Sequence, residues 1–374
     1  MSWKFESFGS LFEYENKSKI KAGDGMLKGN HPFFTSSTEQ SKYLDIYSYN
    51  KKSLIFGTGG NPSIHYCDIP FSVSTDCLVS FPKDTSLVLP KYVYYYISGN
   101  IHLLEKGFKG AGLKHISKTY INEIPIPLPP LHIQVQIANT LDKADALRRK
   151  DQELLGKYDR LARAIFYDMF GDPGTNEKSW EPIKLLQVYS KQKDGTKCGP
   201  FGSTLKKEEY QRSGIPVWVM DNIKNESFIP KNCLFITKEK YETLISYSVT
   251  AGDIIISRAG TVGKMCVIET EIPLSIISTN LIRLSLDNES INPHFFISMM
   301  KYFGTSVGRL KKGADGSFTH MNTGILNNLE FGLPPLILQE KYVSILNNLQ
   351  RQCKLIQSEE RGNLFKYLEK NLFS

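Results

Sequence analysis

The chain has 374 residues, 41% hydrophobic and 11% aromatic, with 46 Lys and Arg against 38 Asp and Glu for a formal charge of +8. That length and apolar content exclude a disordered polymer and leave room for two or more domains with sizeable cores. The basic excess suits a polyanionic partner without demanding one.

Taken in order, the chain repeats itself. It begins Trp3-Lys4-Phe5, and a second beginning, Trp180-Glu181-Pro182, lies far downstream. Lys28–Ser37, KGNHPFFTSS, resembles Arg212–Asn222, RSGIPVWVMDN, with Pro32 against Pro216. The turn GTGGN (Gly57–Asn61) matches a Gly-rich turn in RAGTVGKM (Arg258–Met265), which lies between the expected strands GDIIIS and KMCVI. Ser72–Phe81 resembles Ser275–Leu286, with Thr75 against Thr279. Leu89–Ile97 resembles Asn292–Met300, where Asn292 and Pro293 predict a capped helix start. His115 and Asn122 then match His320 and Asn327. Finally Leu128-Pro129-Pro130-Leu131, with Gln134, matches Leu333-Pro334-Pro335-Leu336, with Gln339. An ordered series of matches with drifting offsets predicts an internal duplication whose surface loops have gained and lost residues.

Each repeat has a mixed strand-and-helix part and then a long helix. From Ile133 apolar residues recur at 137, 141, 144, 147, 154, 158, 161, 165 and 169, and a second stripe runs through 342, 346, 349, 353, 356, 364, 368 and 372. Narrow stripes of that length predict a coiled coil. Gly171 and Asp172-Pro173-Gly174 mark the end of the first helix. About 38 residues make a rod of roughly 57 Å, which a ten-residue linker cannot recross at ~3.5 Å per residue. An antiparallel pair is therefore expected. Ile137, Leu141, Leu154, Leu161 and Ile165 should face Leu346, Leu349, Cys353, Ile356 and Leu364. Gly156 and Gly362 fall at similar places in the two helices.

Catalytic motifs are not found. RAGTVGKM has Arg258 where a phosphate loop opens with Gly, and Met265 where it needs Ser or Thr. The seven histidines do not cluster, and no methyltransferase tetrapeptide or nuclease carboxylate set is present. The six cysteines form no C-x-x-C pair and are expected as free thiols. No leader precedes the first expected element, and no run approaches the ~18 apolar residues of a membrane span. A soluble, cytoplasmic, non-catalytic protein is expected. Loops mixing basic, small polar and aromatic residues are left as candidates for recognition. In the first repeat these offer Lys28, Thr35, Ser36, Lys106, Lys109 and Lys114; in the second, Lys206, Lys207, Asn222, Arg258, Lys311, Lys312 and Ser317. Lys and Arg hold phosphates, while Asn, Ser, Arg and His reach base edges. His115, His320 and Trp218 are read as structural, the histidines because they recur at one place and the tryptophan because it sits in a strand.

HISKTYINEIPIPLPPLHIQVQIANTLDKAD (His115–Asp145), the exit RLARAIFYDMFGDP (Arg160–Pro173), SRAGTVGK and PFFTSS together resemble the specificity subunit of type I restriction-modification systems over essentially the whole chain. The resemblance implies an α+β fold with two target recognition domains, related by a pseudo-twofold axis and separated by an antiparallel coiled coil of two conserved helices. In this numbering the domains are 1–128 and 173–333, and the spacer helices 129–172 and 334–374. It implies that each domain reads one half of a split, asymmetric site in double-stranded DNA. Two methyltransferase subunits bind the helices, and restriction subunits join the full complex. S-adenosylmethionine, ATP and magnesium belong to those partners, so this chain needs no cofactor. A coiled-coil scaffold whose end domains bind other proteins is the alternative. A single-chain modification enzyme is opposed by the missing motifs.

Overall fold

The structure is a computed structural model that describes residues 3–110, 112–231, 233–258, 262–303, 321–356 and 372–373. It divides into two units, Met1–Leu154 with Leu355–Ser374, and Leu155–Lys354.

In the first unit, Phe5–Ser7 pairs antiparallel with Pro125–Pro127. A four-stranded antiparallel sheet follows the order Phe12–Tyr14, Cys77–Pro82, Ser53–Gly57, Ser63–Cys67. A three-stranded sheet places His31–Phe34 between Lys42–Leu44, antiparallel, and Ser72–Val73, parallel. Ser53–Gly57 is buried along its whole length, as the central strand of a covered sheet should be. One face packs on Phe8, Phe12, Tyr92 and Val93, together with Ile137 and Leu141 of the first spacer helix; Leu372 and Phe373 join the same cluster. The other face packs on Phe34, Phe71 and Val73.

The second unit repeats this strand for strand. Glu181–Lys184 pairs with Glu330–Leu333. The four-stranded sheet runs Thr196–Cys198, Leu281–Leu284, Ile254–Ser257, Met265–Val267. The three-stranded sheet centres Ile215–Trp218 between Leu234–Ile236 and the parallel Ile276–Ile277. A small hairpin, Ile223–Lys224 with Ser227–Phe228, has no counterpart among the described strands of the first unit. The duplication expected from sequence is therefore present as topology, including a parallel pair that no periodicity announces. Pro293–Tyr302 forms the expected helix, and the Asn292 side chain accepts from His294 N (2.9 Å) and Phe295 N (3.4 Å).

The Leu-Pro-Pro-Leu-x-x-Gln phrase explains itself here. Pro130 and Pro335 precede helices that begin at Leu131 and Leu336. A proline there gives up an N–H that a helix start would leave unused. Gln134 is fully buried. Its Oε1 accepts from Leu89 N (2.8 Å), and its Nε2 donates to Leu87 O (3.0 Å) and Pro129 O (2.9 Å). Gln339 does the same: Oε1 accepts from Asn292 N (2.9 Å), and Nε2 donates to Ser290 O (3.3 Å) and Pro334 O (2.8 Å). Leu89 and Asn292 are the N-caps of matching helices. One buried amide thus ties each spacer helix to its own domain through backbone atoms only. A second repeated bond joins Tyr14 Oη to Asn122 Oδ1 (3.0 Å) and Tyr189 Oη to Asn327 Oδ1 (2.8 Å).

The first spacer helix is Leu131–Phe170. Gly171 ends it at φ 74°, a conformation only glycine adopts freely, and Trp180 Nε1 donates to the free carbonyl of Phe170 (3.0 Å). The second is described over Leu336–Ile356. Inside the second unit the two run in opposite directions. Phe166 and Phe170 meet the Tyr342 ring at 5.4 and 5.6 Å. Earlier on one helix and later on the other, Asp159 lies near enough to help burial push the Cys353 thiol pKa up. The exact stripe differs from expectation. Leu161 is 46% exposed, and Ala162, Phe166 and Phe170 are the buried residues, one position on. Leu154 is exposed as well. Among the described residues a Cβ at Gly156 would meet only Arg160 of its own helix, at 3.7 Å. Leu364 and Gly362 lie outside the described residues.

Among the described residues, no helix is long and apolar enough to cross a membrane.

Candidate nucleic-acid interface

In the first unit, several candidate loops converge on the turn Gly57–Asn61. Gly57 sits where any side chain would collide with Ser36 and Ser63, so the Thr35–Ser37 segment lies directly against it. Ser36 Oγ donates to Asp76 O (2.8 Å), and Thr58 N and Oγ1 donate to the same oxygen (2.8 and 2.9 Å). The loop carrying Lys109 and Lys114 closes on itself through two 3.0 Å bonds between the backbones of Lys109 and His115. It then docks on the turn: Gly60 N donates to Lys114 O (3.2 Å) and Ile116 N to Thr58 O (3.1 Å). His115 Nδ1 is 3.1 Å from Thr58 O, a structural bond, in keeping with its reading from sequence. The result is one surface bearing Thr35, Ser36, Lys109 and Lys114, organised by Thr58, which no sequence signal had singled out.

Lys28 precedes His31–Phe34, and Lys106 follows the short helix His102–Glu105. Both are exposed, but no side-chain hydrogen bond among the described residues joins either to that surface.

In the second unit the corresponding region lies at the ends of Ile215–Trp218 and Ile254–Ser257. Lys264 N donates to Ser257 Oγ (2.9 Å), where the paired strands Ile254–Ser257 and Met265–Val267 end. A cleft of about 270 Å³ opens beside it, lined by Met220, Asp221, Ile223, Lys224, Ser257 and Lys264. Arg258 lies over the Phe201 ring at 4.5 Å, and its buried Nη1 has no hydrogen-bond partner among the described residues. Lys206 and Lys207 are exposed on a tight turn shared with Glu208 and Glu209. The Glu209 carboxyl is held below its ordinary range first by the Lys206 N–H and then by Lys240. Trp218 is core, fully buried against Phe228, as expected.

Asn222 must be corrected. It is fully buried, and its amide is spent inward. Val219 N donates to Oδ1 (2.8 Å), while Nδ2 donates to Ile229 O (2.7 Å) and Lys231 O (2.8 Å). With both amide N–H groups and the oxygen bonded to backbone, and no exposed surface, Asn222 presents nothing to a base edge. Lys311, Lys312, Ser317 and His320 lie outside the described residues.

With this geometry established, comparisons with known proteins become informative. A family profile described as "Type I restriction modification DNA specificity domain" matches residues 1–155 and 177–362, one match per repeat. The type I restriction enzyme MjaVIII specificity subunit of Methanocaldococcus jannaschii is 22% identical over 96% of this chain and 88% of its own length. A putative type I restriction enzyme specificity subunit of Haemophilus influenzae is 21% identical over 87% of this chain and 81% of its own. Among solved structures, the type I restriction-modification S subunit from M. genitalium superposes with a TM-score of 0.67 at 20% identity, covering 100% of this chain and 96% of that one. A chain from a study of type I R-M complex assembly superposes at 0.54, with 15% identity and 100% and 97% coverage. At such identities the superpositions speak for the fold, and they agree with the duplicated α+β topology.

Proposed function

The chain belongs to the type I restriction modification DNA specificity domain family, and from that premise we propose that each of its repeats reads one half of a split, asymmetric site in duplex DNA. The coarser statement follows from family membership: this is a specificity subunit that takes part in DNA sequence recognition. On the finer reading, residues 1–128 and 173–333 are the recognition domains, and 129–172 and 334–374 are the spacer helices. The helices dock two methyltransferase subunits, restriction subunits complete the endonuclease, and the chain itself catalyses nothing. Any S-adenosylmethionine, ATP and magnesium are held by those partners. The observation that carries this reading is the repeated anchor of Gln134 and Gln339, which gives both domains the same hold on their helices.

Co-expression with a methyltransferase subunit of the same system tests it. The two should copurify with two methyltransferase chains per specificity chain, and the complex should methylate a bipartite motif. Failure to copurify, or transfer of a radiolabelled methyl group by the chain alone, would overturn the reading.

Lys109 and Lys114 are assigned to phosphates, since both are exposed on the surface built around Thr58. Replacing both by Ala should weaken binding to every sequence alike and lower the salt slope by about 1 per lysine. A changed motif with an unchanged slope would instead make them base readers.

A further inference from the structure

We propose that Asp221 is a base-reading residue of the second recognition domain, accepting a hydrogen bond from the exocyclic amino group of cytosine or adenine in the major groove. The proposal rests on the DNA-reading function above and assigns one of its contacts.

The argument starts from what holds Asp221 in place. The strand Ile215–Trp218 ends in a tight turn, Met220–Asn222. Buried Asn222 pins that turn through its three side-chain bonds, and Ile229 N donates to Asn222 O (2.9 Å). Asp221 is therefore an exposed residue on a rigid support, the arrangement that direct readout needs. It lines the cleft with Lys224 and Lys264, also exposed, and among the described residues its carboxylate makes no hydrogen bond or ion pair.

A bare carboxylate is out of place on a surface that meets phosphates, because it repels them. Neither lysine of the cleft neutralises it by direct contact, so both remain available to the backbone. In the major groove the only partners a carboxylate can accept from are cytosine N4 and adenine N6. Guanine O6 and N7 and thymine O4 are acceptors and are rejected. Asp221 thus favours an amino base and disfavours a keto base at one position. At the same place in the first unit, counting from the paired strands His31–Phe34 and Ile215–Trp218, stands Ser37, which is neutral. The two half-sites should accordingly differ there.

The test is to sequence the methylome of cells carrying the complete system with wild-type chain, Asp221→Ala or Asp221→Asn. With Asp221→Ala, one position in one half of the motif should lose discrimination by about ten- to a hundredfold. The other half and the spacing should stay as they are. Asp221→Asn, which can pair with adenine N6 and N7 together, should move preference at that same position toward adenine. The wild-type base at that position distinguishes cytosine from adenine. Duplexes carrying an amino-free analogue of that base should then bind the wild-type complex more weakly but leave Asp221→Ala unaffected. An unchanged motif in Asp221→Ala, with tighter binding to all duplexes, would overturn the proposal and make Asp221 a repulsive surface charge. If the wild-type system itself yields no bipartite motif, the underlying DNA-reading function has failed, and this contact falls with it.

Discussion

Gln339→Ala should cost the second unit about 3 kcal/mol, because it takes the partner from a part-buried N–H and two carbonyls at once, and each unpaired group costs ~1–3 kcal/mol, here toward the lower end. The groups are Asn292 N, Ser290 O and Pro334 O, all now satisfied by one side chain that is fully buried. The unit spans Leu155–Lys354, a size at which each kcal/mol moves the melting temperature by roughly 2–4 °C, so a drop of about 6–12 °C is expected by calorimetry. Gln339→Glu should be worse near neutral pH. It keeps the acceptor for Asn292 N but sets a carboxylate against two carbonyls, a buried charge without a partner. A loss under about 1 kcal/mol for Gln339→Ala would mean that water replaces the amide, and that the second proline alone fixes the helix start.

That anchor illustrates what the sequence could convey. The repeat, the capped helix at Asn292 and the strands around Ile254 and Met265 rest on local chemistry, and all were legible. The role of Gln134 and Gln339 was visible as a match but not as a bond, since their partners lie 45 and 47 residues away in sequence. The stripe of the first spacer helix slipped for a plain reason. Leu161 stands beside Ala162 and Ile165 beside Phe166, so two adjacent faces were equally apolar and periodicity could not choose. The neighbours chose: Phe166 meets Phe170, Phe295, Tyr302 and Tyr342. Asn222 misled because residue type states what a side chain can bond, whereas the fold determines what it does bond. The converging surface around Thr58 depends on segments from 35 to 115, which no sequence window contains together.

Exchanging the first recognition domain for that of a relative should replace one half of the methylated motif entirely. The other half and the spacer length should persist. The structure sets where to cut. Phe5–Ser7 pairs with Pro125–Pro127, and Leu128 N donates to Lys4 O (2.8 Å), so a junction at 120 would split this ribbon between two parents, whereas a junction after Leu128 transfers it whole. Across that junction, the Gln134 amide bonds only to the backbone of Leu87 and Leu89, which any domain of the same fold presents. Asp142 is more demanding. It holds Lys91 Nζ at 2.8 Å and Tyr95 Oη at 2.7 Å, so the donor domain should carry Lys and Tyr at those places to keep its seat on the helix. With the spacer helices untouched, half-site centres should stay about one helical turn apart, roughly 10 bp. Base pairs between them should be felt only through their shape and stiffness. Methylome sequencing of cells carrying the chimera reads both halves and the spacing in one measurement. If both halves change together, or the spacer shortens or lengthens while Asp142 keeps its partners, then the domains do not read DNA independently and the modular assignment is wrong.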